Sequence, residues 1–148
     1  MFAGVILTVA RTLVPYWRSL DADAFLSAFA QFNTLVPAAI APILLPTLLA
    51  ILGSVLLTWH DSRSRSLWLA AGACLLLTLA LTAFYFLPLN SAFAARRIPA
   101  DSITATLNTW AHVHWLRVVL SIAAPLCGLS ALALETSGTT DGEDMPPL

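Results

Sequence analysis

Along the chain, long apolar runs alternate with short polar breaks. No Asp, Glu or Arg occurs from Ala24 to His60, from Ser66 to Ala95, or from Val118 to Leu134. A hydrocarbon layer about 30 Å thick takes about 20 apolar residues of helix to cross. The segments 36–59 and 67–89 meet that length outright. The segment 112–134 meets it with Arg117 and two histidines near its start, and a helix capped at Asp101 or Ser102 reaches Leu134. The segment 1–17 is shorter and holds Arg11. With no basic leader or small-residue cleavage motif, it reads as a first membrane helix rather than a signal peptide. The expectation is an all-α integral membrane four-helix bundle, one domain over residues 1–134, followed by an acidic disordered tail at 135–148.

Local patterns add detail. Between helices 1 and 2, Phe25, Phe29 and Phe32 recur at helical spacing while Asp23, Ser27 and Gln31 fall elsewhere. With Asp21 as a fair N-cap, this predicts an amphipathic segment at the membrane interface, or the exposed beginning of helix 2. Pro42 and Pro46 remove two backbone donors from one face of helix 2 and predict a bend, as does Pro125 in helix 4. Residues 60–66 form a short polar turn, so helices 2 and 3 make an antiparallel hairpin. Trp68 stands where an interfacial anchor is expected. Small residues, Ala70–Cys74 on helix 3 with Ala124 and Gly128 on helix 4, offer close helix contact.

Composition narrows the class. The chain has 148 residues, 59% hydrophobic and 10% charged, with a formal charge of −1. Soluble domains carry about 25% charged residues, so a soluble enzyme is a poor reading. The net charge offers no hold on a nucleic-acid backbone. Expected partners are membrane lipids, a hydrophobic small molecule and further copies of the chain. The expected location is the cell membrane, crossed several times. Cys74 and Cys127 form no CxxC motif and read as packing residues.

The candidate chemistry gathers at one end of the bundle. If the helices alternate in direction, Arg11, Tyr16, Trp17, Asn33, Asn90, Asn108, Trp110, His112, His114, Trp115 and Arg117 share that end. Trp110, His114, Arg117 and Ser121 are spaced 4, 3 and 4 apart and lie on one stripe, whereas His112 and Trp115 point elsewhere. A central arginine costs at least ~2.5 kcal/mol to insert, so Arg117 either faces an interior site or snorkels to headgroups. His114 on the same stripe favours the interior. His112 and His114, at i and i+2, diverge too far to share one metal ion, and no Asp or Glu lies within helices 2 to 4. No metal site is expected, and a haem held by one histidine stays open.

The order Pro88-Leu-Asn90-x-x-Phe93, then Trp110-x-x-x-His114-x-x-Arg117, resembles the anthrone oxygenase-like family of small four-helix membrane proteins, over about residues 3–134. The resemblance implies oxidation of an activated polycyclic CH₂ group by O₂ without a flavin or haem, so no cofactor is expected. In such a reaction His114 would remove the substrate's proton and Arg117 would stabilise the resulting phenolate. Trp110 or Trp115 would stack on the flat substrate, and Asn90 would hold a carbonyl or hydroxyl. Arg11 and Asn33 are further candidate substrate contacts. The rival is a non-catalytic lipid-binding or assembly protein, with the arginines on headgroups and the tryptophans as belt anchors. Whether Asn90, His114 and Arg117 enclose a pocket or face lipid separates the two.

Overall fold

Two of the long helices begin where a side chain can take up an otherwise unmatched backbone donor. Asp21 accepts the Ala24 N–H at 2.8 Å and starts α3, Ala22–Leu57. Asp61 accepts the Arg63 N–H at 3.0 Å and starts α4, Ser62–Leu81. The computed structural model describes residues 2–140, and the described residues are helical almost throughout, with no strand. Ahead of α3 lie α1, Phe2–Thr8, a π turn at Val9–Leu13, and α2, Val14–Arg18. After α4 come a second π turn, Thr82–Phe86, and α5, Leu87–Ala94. A 3-10 turn, Ala100–Ser102, leads into α6, Ile103–Thr140.

The two π turns have a common cause. Pro15 and Pro88 each sit in the first turn of the helix that follows. A proline inside a helix has no N–H to offer and pushes its ring at the carbonyl four residues back, here Arg11 or Phe84. Widening the preceding turn to i→i+5 bonding relieves both problems without ending the rod. Pro125 is carried inside α6, and α3 runs unbroken through Pro42 and Pro46.

Three stretches are long and apolar enough to cross a membrane: Ile40–Leu57, Ser62–Ala94 and Ala100–Thr136. The segment expected to be a first crossing is not among them, since α1, the π turn and α2 contribute only seven, five and five residues. Interrupted helices also make the element count larger than the simple four expected. The last helix passes Leu134 and runs to Thr140, so the first part of the expected disordered tail is helical; residues 141–148 lie outside the described residues.

Of the two readings of the Phe25–Phe32 segment, the structure has it as the beginning of the long helix α3, but its aromatic face is buried rather than exposed or laid on a membrane surface. Phe25 and Phe29 are buried against Trp17 of α2 and Phe93 of α5, with ring centroids 5.0–6.2 Å apart. Its polar face is tied down too: Arg96 donates to Asp23 at 2.8 Å and to Ser27 at 2.9 Å. This aromatic cluster closes one end of the bundle. Along the rods, α4 packs most extensively on α6, where Gly128 lets the Trp68 ring approach so closely that a Cβ would stand 3.0 Å from it. The Trp68 indole N–H then reaches Glu135 at 3.2 Å.

Candidate functional site

Successive turns of α6 place Trp110, His114 and Arg117 on one face, all of them buried. That face looks toward α1, the second π turn and α5. The His114 ring stacks on Trp110, with centroids 4.9 Å apart and planes 13° from parallel. Phe86, from the second π turn, meets both rings edge-on. The Trp110 indole N–H donates to Asn90 Oδ1 at 2.9 Å. That bond fixes the amide of Asn90 with its oxygen toward Trp110, leaving the NH₂ group as a donor for a ligand.

His114 Nε2 lies 3.0 Å from the main-chain carbonyl oxygen of Ile6. A carbonyl only accepts, so Nε2 must carry the hydrogen. In the neutral ring the lone pair is then on Nδ1, which is buried and has no protein partner.

Arg117 is 8% exposed, and its guanidinium carbon lies 4.3 Å from the centroid of the Phe86 ring. Its Nε is buried without a hydrogen-bond partner. Among the described residues no carboxylate lies within ion-pair distance of it; the salt bridge found there joins Arg96 and Asp23 at the surface. A buried charge is costly unless it is paired. Stacking on Phe86 offsets part of that cost but supplies no acceptor for the guanidinium N–H groups.

Trp110, His114, Arg117, Asn90 and Asn33 line one cavity of about 310 Å³. Its remaining wall is mostly apolar, with Trp17, Phe29, Phe32 and Phe86 presenting rings. The size suits a small flat organic molecule, and the few polar groups it meets are chiefly donors. Asn90, His114 and Arg117 thus enclose a pocket, the arrangement that separates the two readings of the sequence.

The other residues singled out from sequence lie elsewhere. Trp115 is 43% exposed and Arg11 is exposed within the first π turn; neither lines the cavity. One residue past His114 on a helix is a rotation of about 100° off the stripe, which carries Trp115 outward. His112 is exposed and bonds the Asn108 carbonyl at 2.8 Å. Among the described residues no group of three His, Cys, Asp or Glu side chains is placed to hold a metal ion.

Sequence reasoning put Trp17 at this end of the bundle without giving it a role, and did not name Phe86; both line the cavity. Trp17 separates the cavity from a second one of about 210 Å³, bordered by Arg18, Thr104 and Asn108, and its buried indole N–H has no partner. The usable signal for both was proline: Pro15 and Pro88 each stand two residues away, and each marks a widened turn that faces the cavity.

The family model described as anthrone oxygenase matches residues 25–127. No curated protein and no solved structure matches the chain. The matched stretch covers more than half of the chain and contains Asn33, Asn90, Trp110, His114 and Arg117. The chain belongs to the anthrone oxygenase family.

Proposed function

We propose that this protein is a multi-pass membrane monooxygenase that oxidises a flat phenolic CH₂ compound of the anthrone type with O₂. The observation that carries this reading is the buried, carboxylate-free guanidinium of Arg117 beside the unpartnered Nδ1 of His114, on an aromatic cavity. A cation without a counterion favours a ligand that brings, or develops, negative charge on oxygen.

The chemistry follows from that pairing. His114 Nδ1 takes a proton from the activated CH₂ group, and Ile6 holds the ring by its Nε2 hydrogen. The electron pair left behind delocalises into an enolate oxygen, which Arg117 and the amide NH₂ of Asn90 hold. Trp110 and Phe86 supply faces and edges for the planar ring system. The electron-rich carbon passes electrons to O₂ and bonds one oxygen atom, giving a hydroperoxide. Loss of water from the hydroperoxide leaves a carbonyl where the CH₂ group was. One oxygen atom of O₂ enters the product and the other leaves as water, so no external reductant is consumed.

The test is O₂ uptake by the purified protein given anthrone. His114→Ala is expected to lower the rate about 100-fold or more, the usual range for a general base. Arg117→Ala is expected to cost a comparable factor by removing the oxyanion partner. Undiminished uptake in both variants would remove these roles.

The alternative, a non-catalytic lipid-binding or assembly protein, needs Arg117 at headgroups. Its side chain is instead buried beside Phe86 and bordering the cavity, which favours the enzyme.

A further inference from the structure

The cavity is not closed on all sides, and the residues at its open side are unusual. Ile40, Ala41 and Leu44 of α3 line it together with Leu79, Thr82 and Leu87. Of these, Ala41 is exposed and Leu87 is 51% exposed, although both line the cavity. The same side chains therefore touch the interior and the outside of the bundle. All six belong to the stretches apolar enough to cross a membrane.

Depth decides what that outside is. Ala41 stands about 27 Å of helix from Asp23 and about 24 Å from the other end of α3 at Leu57, at ~1.5 Å per residue. Leu87 stands about 10 Å of helix from the end of α5 at Ala94, two residues before Arg96, on the same rise. If the stretches Ile40–Leu57 and Ser62–Ala94 span the membrane, this gap opens within them, toward the end that carries the aromatic cluster, onto acyl chains rather than water. A water-side route would instead run past Trp17 from the second cavity, bordered by Arg18 and Asn108. Trp17, 3% exposed, stands in that way with its ring packed on Phe25, Phe29 and Trp110.

We propose that the cavity is loaded sideways from the bilayer, through the gap between α3 and the junction of the second π turn with α5, with Ala41 and Leu87 as its rim. The ligand is then an apolar, planar molecule already dissolved in lipid, uncharged until it reaches His114 and Arg117. This rests on the cavity being the ligand site.

The experiment uses the protein in phosphatidylcholine vesicles, with anthrone as the probe, under anaerobic conditions so that binding is seen without turnover. Association and dissociation are followed by the ligand's fluorescence. A rim changes the barrier from both sides, so Ala41→Phe with Leu87→Phe is expected to slow both association and dissociation about tenfold. Asn108→Phe, on the water-side route, is expected to leave both rates unchanged.

Weakened binding with unchanged association would make Ala41 and Leu87 ligand contacts rather than a rim, and would overturn the proposal. Slowing by Asn108→Phe in place of the rim variant would overturn it too. If Arg117→Gln binds like the unaltered protein, the anion-site reading fails while the rim comparison still reads the route. Absence of saturable binding by the unaltered protein would remove both.

Discussion

Asn90 holds the site together through a single bond, from the Trp110 indole N–H at 2.9 Å. Trp110 in turn lies flat against His114, so the amide, the indole and the imidazole form one stacked unit. Removing the acceptor leaves a buried donor unsatisfied, at a cost of about 1–3 kcal/mol. Asn90→Ala is therefore expected to lower the unfolding temperature and to reduce anthrone turnover, whereas Asn90→Asp keeps the acceptor and retains more stability. Thermal unfolding in detergent beside O₂ uptake checks both. At this scale the stripe Trp110, His114, Arg117 was legible because an uninterrupted helix keeps its period. Arg11 was not, because it lies in a π turn; one extra residue per turn rotates everything that follows, and nothing in a hydrophobic pattern reports that rotation. The Ile6 carbonyl was invisible for a plainer reason, since a backbone acceptor has no residue type.

At the scale of elements, the long helices could be read from charge-free runs, and the start of α3 from its Asp21 cap. Their breaks could not. A proline predicts that a helix must adjust, but whether it bends, bulges or simply loses a bond depends on neighbouring rods. Pro15 and Pro88 follow π turns, while α3 continues through Pro42 and Pro46. The amphipathic Phe25–Phe32 face was equally legible as a pattern and equally silent about its partner, because a bundle core and a lipid headgroup layer both accept phenyl rings. Small residues were more informative. Gly128 on α6 was expected to allow close contact, and the ring of Trp68 fills that space. Gly128→Val should force the two apart, costing about 1–3 kcal/mol as overpacking does, and should loosen the Trp68–Glu135 bond. A lower unfolding temperature with near-normal anthrone affinity is the expected result, because the cavity lies toward the other end of α6.

Across the whole molecule, two kinds of interaction hold the aromatic end together, and their magnitudes differ. Phe93 is fully buried between Phe25 and Phe29, and Phe93→Ala is expected to cost about 3–5 kcal/mol. The Arg96–Asp23 pair lies at the surface, its side chains 54% and 88% exposed. Arg96→Ala is expected to cost less than about 1 kcal/mol, and comparing the unfolding of the two variants checks the ranking. Scarcity of charge identified the apolar surroundings of this chain, and it also gives Arg117 its meaning. In a bundle with so few carboxylates, the proposed function has the buried guanidinium find its anion in the ligand. The most direct measurement is an anaerobic titration of the purified protein with anthrone, read by the absorbance of the enolate. The account predicts that enolate forms in proportion to protein at a pH where free anthrone stays neutral, and that it is lost in Arg117→Gln. Equal enolate in both proteins, or none in the unaltered protein while O₂ uptake continues, would contradict it.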